Sequence, residues 1–199
     1  KVALVTGAGR GIGRAIALAR RRKTRLALLF LDIDNFKQVN DTFGHAVGDQ
    51  VLRLVAHCLA SSVREADTVS RRGGDEFLIL LSEVSEATDA VLVADKIMAA
   101  LGAPNRVGRH VFRLTASIGI SIYPDDGKNA DALINRADAA MYRAKRQGLG
   151  CFAFHDGKTT RSCDQVSPPP ASPRQTASGS ALTLPEHERR HALSQQADE

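Results

Sequence analysis

Apolar residues are grouped along the chain in two patterns, short continuous runs and longer stretches with a spacing of three or four. The runs at residues 26–31 and 78–81 predict strands, because continuous apolar runs of this length are typical of buried strands. The helical spacing predicts helices over residues 35–41, 47–59, 85–101 and 129–147. These elements occupy most of the chain between residues 26 and 157.

Glycine-containing turns connect several of the predicted strands. Gly73-Gly74 lies between residues 67–70 and the apolar run 78–81, and this arrangement predicts a tight β-hairpin. Residues 111–123 predict a further pair of strands, and residues 151–154 predict a short closing strand. Because hairpins join antiparallel neighbours, we expect an α+β fold in which helices cover a mainly antiparallel central sheet.

Residues 1–25 predict a separate βα segment. An apolar strand at residues 2–5 is followed by a glycine-rich turn at 6–13 and a helix from residue 14 to 19. This is the layout of a dinucleotide-binding unit, in which glycines let a pyrophosphate approach the helix N-terminus. The stretch resembles the opening of the short-chain dehydrogenase/reductase family, and the family would place a ribose-binding acid at Asp32.

The rest of the chain does not support a reductase site. The resemblance leads us to look for Tyr-x-x-x-Lys, but here Lys145 follows Tyr142 one position too early, and Arg146 occupies the required position. On a helix, one residue corresponds to a rotation of about 100°, which turns the lysine away from the tyrosine. A fragment of an NAD(P)-binding reductase is therefore retained only as an alternative.

Length and charge limit the possible functions further. With 199 residues and 43% hydrophobic content, the chain is expected to form one domain with a single core. Residues 1–25 contain eight basic residues and no acidic one, while the formal net charge of the whole chain is +5. We interpret the basic run as stabilising a helix C-terminus, and not as a nucleic-acid or membrane patch. From residue 158 the chain is rich in Ser, Thr, Pro and Gln, which predicts a disordered tail.

The cysteines and the short apolar runs favour a reducing, cytosol-like compartment. Cys58, Cys151 and Cys163 form neither a paired motif nor a metal-binding spacing, which suits reduced thiols. The run 26–31 is far too short to cross a bilayer, and residues 1–3 lack the layout of a signal peptide. We expect a soluble, cytoplasmic protein with no membrane segment.

Acidic side chains follow two of the predicted strands. Asp32 and Asp34 end the first strand, and Asp75 and Glu76 follow the glycine pair of the hairpin. Adjacent carboxylates bind hard cations such as magnesium, and glycines let a backbone approach a ligand closely. The pattern predicts a divalent metal with a phosphate ester. The alternative is a surface turn with solvated acids.

Two blocks of the chain resemble the GGDEF family of diguanylate cyclases. The first runs from Leu31 to Asp49 and contains the series Asp-Ile-Asp-x-Phe-Lys-x-x-Asn-Asp-x-Phe-Gly-His-x-x-Gly-Asp, and the second is Arg-Gly-Gly-Asp-Glu-Phe at 72–77. The resemblance covers a domain at residues 26–157. It implies a fold like the palm of nucleotide cyclases and polymerases. It also implies a homodimer that condenses two GTP into cyclic di-GMP and pyrophosphate in bacterial signalling.

The resemblance implies roles for individual residues. Asp32, the carbonyl of Ile33, Asp75 and Glu76 would hold Mg²⁺ or Mn²⁺, and Asp75 would also accept the proton of the attacking hydroxyl. Asn40 and Asp49 would read guanine, since an amide and a carboxylate suit its O6 acceptor and its N1 and N2 donors. The further implied positions are Phe36 and Leu52 at the base, Gly73 and Gly74 at the hairpin, and Lys37, His45 and Lys145 near the phosphates and ribose.

The resemblance also implies regulation. Arg64 and Asp67 form an Arg-x-x-Asp pattern that is separated from Gly73 by five residues, the offset at which the family has an inhibitory site for its product. Guanidinium groups suit phosphates and guanine edges. We therefore expect product feedback through these two residues.

Two departures from the family pattern favour an alternative function. The usual first helix, with its Asp-x-Leu-Thr-x-Leu-x-Asn-Arg series, is absent, and we expect Ile16, Leu18 and their neighbours to cover the sheet in its place. Leu149 stands where the family has a phosphate-binding arginine after the lysine. The alternative is an impaired module that binds GTP or cyclic di-GMP as a sensor.

Overall fold

The computed structural model describes residues 8–156, with side chains from residue 11 onwards. The predicted strand at residues 2–5 and the predicted tail from residue 158 lie outside this range. Seven strands are described: β1 (Arg25–Ile33), β2 (Thr68–Gly73), β3 (Glu76–Val84), β4 (Asn105–Val107), β5 (His110–Phe112), β6 (Ala116–Tyr123) and β7 (Phe152–Phe154). The central sheet has the order β2-β3-β1-β6-β7, and only the pair β6–β7 is parallel. The predicted α+β fold with a mainly antiparallel sheet is confirmed.

Five helices cover the two faces of this sheet. Their bounds are α1 (Ala8–Arg22), α2 (Phe36–Phe43), α3 (His45–Ser62), α4 (Ala87–Gly102) and α5 (Ala130–Gln147). Residues of α3 and α4 belong to the core on one face, and residues of α1 and α5 form the core on the other. The four helices predicted between residues 35 and 147 are all present.

The continuous apolar sequence of β1 is explained by its central place in the sheet. Leu29 and Leu31 point into the core formed with α3 and α4. Leu28 and Phe30 alternate with them and point into the core formed with α1 and α5. Because successive side chains of a strand face opposite ways, a central strand covered on both sides is apolar at every position.

A glycine allows α5 to lie unusually close to the sheet. A Cβ added to Gly119 of β6 would come within 1.9 Å of the Ala137 carbonyl oxygen and 2.2 Å of the Met141 amide nitrogen. Both are backbone atoms of α5, so neither can turn aside as a flexible side chain would. Gly119 therefore sets the distance at which α5, and the residues of its last turn, approach the sheet.

Two predicted features differ from the structure. The strands predicted within residues 111–123 do not pair with each other, because β5 pairs with β4 in a separate two-stranded sheet while β6 joins β1 and β7. The prediction of a glycine turn at residues 6–13 is also wrong for residues 8–13, which are helical. Helix α1 begins at Ala8 and includes Gly11 and Gly13.

Helix α1 covers the sheet face as we expected, although by a partly different set of residues. Ile12, Ile16 and Ala19 are buried against the core that contains Phe30. Leu18 is 39% exposed, so the expectation that it covers the sheet is wrong. Positions 12, 16 and 19 follow the spacing of one helix face, which Leu18 does not share.

The described cysteines differ in their chemistry. Cys58 is a free, buried thiol, as expected, whereas Cys151 is disulfide-bonded, so the expectation of reduced thiols is wrong for Cys151. Within residues 8–156, the helices are each too short or too polar to cross a bilayer.

Candidate active site

The hairpin between β2 and β3 presents its acidic residues at one end of the sheet. Gly73 pairs with Glu76 across the turn, and Gly74 has a φ of +53°, a left-handed conformation that glycine adopts without strain. The guanidinium of Arg71 donates two hydrogen bonds, of 2.9 and 2.7 Å, to the Gly74 carbonyl oxygen. These bonds fix the turn that carries Asp75.

The acidic end of β1 lies beside this hairpin. Asp32 is the cross-strand partner of Glu76 in the β1–β3 ladder. The amide of Ile33 donates a hydrogen bond of 3.4 Å to the Asp75 carbonyl oxygen. The predicted association of Asp32 with Asp75 and Glu76 therefore follows directly from the register of the two strands.

Lys145 joins the acidic cluster from α5. Its Nζ lies 2.7 Å from Oδ1 of Asp32, whose side chain is only 13% exposed. Burial raises the pKa of Asp32, the hydrogen bond from Lys145 opposes that rise, and the negative charge of Asp75 adds to it. The raised pKa therefore reflects mainly the burial of the Asp32 carboxylate, with a smaller contribution from its acidic neighbour Asp75.

Helices α2 and α3 hold the residues predicted to read the base. A Cβ added to Gly48 would lie 1.9 Å from Oδ1 of Asn40, so the Asn40 amide rests directly on this glycine. The same point is 3.4 Å from Cζ of Phe36. Phe36 and Leu52 are buried in the core beneath the two helices. The packing of the two helices thus places Asn40 against Gly48, the residue that precedes Asp49.

Three predicted residues make no ion pair with the acidic cluster in the part of the chain that the structure describes. Lys37, His45 and Asp49 are exposed on α2 and α3. Their predicted contacts are with a nucleotide, so the structure of the protein alone does not test them.

The two predicted inhibitory residues have very different surroundings. Asp67 is buried, and its carboxylate accepts hydrogen bonds of 2.9 Å from the amides of Arg64 and Ser82. Arg64 is exposed and contributes to lowering the pKa of Asp89 on α4. Since strand β2 separates Asp67 from Gly73, this region lies about 20 Å from the hairpin turn.

Sequence reasoning did not assign a role to Asp34, although it noted the acid at the strand end. Asp34 is buried and accepts hydrogen bonds from the Ser117 hydroxyl, at 2.7 Å, and from the Gly150 amide, at 2.9 Å. Its partners lie 83 and 116 residues away along the chain. A signal was available in the strand period, which puts Asp34 on the same side of β1 as Asp32.

The carboxylates fit a divalent cation that also has other ligands. Within residues 8–156, no three His, Cys, Asp or Glu side chains converge closely enough to hold a metal by themselves. Oxygen ligands from two strand ends nevertheless suit a hard cation, which often completes its coordination with main-chain carbonyls, substrate phosphates and water. Asp32, Asp75 and Glu76 therefore supply oxygen donors of the kind that a divalent cation prefers.

Comparison with known protein families assigns the family and the fold. The family model for the GGDEF domain of diguanylate cyclases matches residues 9–151. This chain belongs to the GGDEF family. The GGDEF diguanylate cyclases generally use a divalent metal, which agrees with the oxygen-rich cluster of the two strand ends.

Bacterial GGDEF proteins of several kinds are similar to the chain. The bifunctional diguanylate cyclase/cyclic di-GMP phosphodiesterase MucR of Pseudomonas aeruginosa is 42% identical over 152 residues, which cover 76% of this chain and 22% of MucR. The diguanylate cyclase TpbB of the same species is 42% identical over 140 residues, 70% of this chain and 32% of TpbB. The cyclic di-GMP phosphodiesterase PdeR of Escherichia coli is 38% identical over 136 residues, 68% of this chain and 20% of PdeR. The chain thus spans a third or less of these relatives.

Solved GGDEF domains share the fold. The GGDEF domain of TpbB superposes with a TM-score of 0.72 and 40% identity, covering 74% of this chain and 86% of that structure. The GGDEF domain of DgcB from Caulobacter crescentus, solved in complex with cyclic di-GMP, has a TM-score of 0.65 and 30% identity, covering 74% and 87%. These two structures support the fold assignment at 40% and 30% sequence identity.

Proposed function

We propose that this GGDEF domain condenses two GTP molecules into cyclic di-GMP and pyrophosphate. The observation that carries the proposal is the meeting of Asp32, the Asp75–Glu76 hairpin and Lys145 at one end of the sheet. Acidic ligands for a metal and a cation for phosphate are the two charges that phosphoryl chemistry requires. Family membership supports the same reaction.

The residues of the site have complementary tasks in this reaction. The 3′ oxygen of one GTP forms a bond with the α-phosphorus of the other, the bond from that phosphorus to the leaving pyrophosphate breaks, and Asp75 accepts the hydroxyl proton. Lys37 and Lys145 offset phosphate charge, while Glu76 supplies a further carboxylate at the metal. Asn40 and Asp49 hydrogen-bond the guanine edge above Phe36 and Leu52, and His45 lies on the ribose side.

A Mg²⁺ or Mn²⁺ ion would be held by Asp32, the Ile33 carbonyl, Asp75 and Glu76. When bound, such an ion polarises the phosphate and stabilises the charge on the attacking and leaving oxygens. Gly73 and Gly74 leave the turn free of side chains where the phosphates approach. We place the reaction in the cytoplasm, where GTP is available.

A homodimer is required because each domain binds one GTP and both bonds of the product join the two nucleotides. We expect cyclic di-GMP to bind at Arg64 and inhibit the enzyme. The exposed guanidinium of Arg64 is available to a ligand, whereas Asp67 contributes by fixing the turn through its bonds to the amides of Arg64 and Ser82.

Incubation of the protein with GTP and Mg²⁺, followed by chromatography, tests the reaction. We expect cyclic di-GMP from the wild type and none from Asp75→Ala with an unchanged melting temperature. Absence of product from the wild type at concentrations where it dimerises would refute the proposal. Arg64→Ala should relieve inhibition by added cyclic di-GMP, whereas Arg53→Ala, an exposed arginine on α3, should leave inhibition intact.

A second candidate function is supported by Leu149. This residue is 47% exposed in the turn after α5, where the family has a phosphate-binding arginine. Loss of that positive charge favours a module that binds GTP or cyclic di-GMP without turnover. Saturable binding of a non-hydrolysable GTP analogue, together with no product from GTP, would establish this function in place of the first.

A further inference from the structure

We propose that Asp34 is a positioning residue that fixes the Lys145 end of α5 against the acidic end of β1. The inference rests on the proposed function for its catalytic consequence, but its structural basis is independent. Asp34 is 7% exposed, and its two carboxylate oxygens accept bonds from different elements. Oδ1 accepts from the Ser117 hydroxyl at 2.7 Å, and Oδ2 accepts from the Gly150 amide at 2.9 Å.

These bonds connect three elements at the site. Ser117 lies on β6 and is the cross-strand partner of Asp32. Gly150 lies in the turn just after α5, and Lys145 is in the last turn of that helix. The strand end therefore holds the helix end twice, through the Asp34–Gly150 bond and through the Asp32–Lys145 ion pair of 2.7 Å.

The turn after α5 is held at its two ends by the backbone, since the Gly148 amide donates to the Ala144 carbonyl oxygen and the Ile118 amide donates to the Cys151 carbonyl oxygen. Asp34 adds a side-chain bond at Gly150, between these two ends. Gly148 and Gly150 have φ values of +147° and +72°, and Leu149 between them is half-exposed. Because glycine has no Cβ, the backbone at these two positions has more conformational freedom than it would have with other residues. Without the buried bond from Asp34, the turn and the adjacent lysine lose an attachment that the exposed Leu149 side chain cannot replace.

Substitution of Asp34 by asparagine or by alanine separates the effect of its hydrogen bonds from the effect of its negative charge. In Asp34→Asn, the amide oxygen can accept from Gly150 while the amide nitrogen donates to Ser117, whose hydroxyl rotates to accept. Both contacts are then kept without the charge. Asp34→Ala removes both contacts, and leaves the buried donor of Gly150 unsatisfied.

The first measurement does not need turnover. The side-chain ammonium signal of Lys145, identified by its loss in Lys145→Gln, is observed by ¹⁵N NMR, because pairing with the largely buried Asp32 carboxylate slows proton exchange. We expect the signal to persist in Asp34→Asn and to disappear in Asp34→Ala. Persistence in folded Asp34→Ala would overturn the inference, whatever the wild type does with GTP.

The second measurement follows kcat and KM for GTP. Asp34→Ala should lower kcat/KM about tenfold, a loss comparable to one charge-assisted bond, and Asp34→Asn should recover most of it. If Asp34 acts through Lys145, the double variant with Lys145→Gln should be no worse than the more impaired single variant. Additive losses, or an asparagine variant as impaired as alanine, would also overturn the inference.

Ser117→Ala provides a test in case Asp34→Ala does not fold, and Ser121→Ala is its matched control. Both serines are fully buried on β6, and each donates one hydrogen bond, Ser117 to Asp34 and Ser121 to the Leu133 carbonyl. We expect similar losses of stability but a weakened Lys145 signal only for Ser117→Ala. Equal signals in the two variants would contradict the role of Asp34. Absence of product from the wild type would refute the proposed function alone.

Discussion

Gly48 is buried beneath the amide of Asn40, and from this contact we predict that Gly48 determines the base selectivity of the proposed cyclase. The Cβ of Gly48→Ala would lie 1.9 Å from Oδ1 of Asn40, so the amide must turn away. Loss of one good hydrogen bond to guanine should raise KM for GTP about tenfold and reduce the preference for GTP over ATP by a similar factor. Steady-state kinetics with both nucleotides measure this change.

Gly102→Ala is the control for this prediction, because a Cβ at Gly102 meets no atom within 4 Å. It should leave both nucleotides' kinetic constants unchanged. A Gly48→Ala variant with wild-type preference for GTP would show that Asn40 does not need its observed orientation.

Substitution of a second single residue, Leu149, is expected to strengthen the binding of GTP. In Leu149→Arg, a guanidinium enters the half-exposed turn beside Lys145 and adds a charged donor for phosphate. We expect KM for GTP to fall about tenfold, in line with one charge-assisted hydrogen bond. Gln147→Arg adds the same net charge nearby and should have little effect. Equal improvement in both variants would indicate general electrostatic attraction.

Among the elements, α4 is anchored by a side chain whose pKa is lowered. Asp89, in its first turn, accepts hydrogen bonds of 2.7 Å from the Ser85 amide and 3.2 Å from the Glu86 amide. These bonds, with a smaller contribution from the charge of Arg64, hold the pKa of Asp89 below its ordinary range. Because the folded-state pKa is lowered, Asp89 stabilises the protein above the ordinary aspartate pKa of about 3.9.

This stabilisation should be lost as pH falls through the lowered pKa. At pH 7 we expect Asp89→Asn to melt at a lower temperature than the wild type, and the difference should close in acid. Asp131→Asn, in the first turn of α5, is a control for the general effect of a helix N-terminus. Thermal melts at several pH values measure the difference, and a gap that does not narrow in acid would contradict the assignment.

Some of these elements could be predicted from the sequence, and others could not. The strand β1 and the Gly73-Gly74 hairpin were predictable because a local apolar run and a local turn signal specify them. Strand β4 was missed because it has three residues and pairs only with another three-residue strand. The bonds of Asp34 join residues 83 and 116 positions apart, so no local pattern could identify them.

For the whole molecule, the acidic end of the sheet depends on the face that α1 and α5 cover. Asp32 and Asp34 lie on the α1/α5 side of β1, and α5 carries Lys145 to them. Gly119 lets α5 approach closely, while α1 covers the neighbouring surface of the same core. The N-terminal helix is therefore expected to unfold together with the domain.

Truncation of Ile16 tests whether α1 is part of this cooperative unit. Ile16 is 7% exposed and packs in the core with Phe30, so Ile16→Ala should lower the free energy of unfolding by about 2–4 kcal/mol. Leu18→Ala removes a side chain of the same volume class from the 39% exposed position on the same helix, and should cost well under half of that. Urea denaturation monitored by circular dichroism gives both values.

If the two variants lose equal stability, or if Ile16→Ala shows no loss, α1 does not form part of the folded core. A single transition that moves to lower urea for Ile16→Ala alone would show that this helix completes the GGDEF fold, and dye binding by the variant would report the apolar sheet face that it covers.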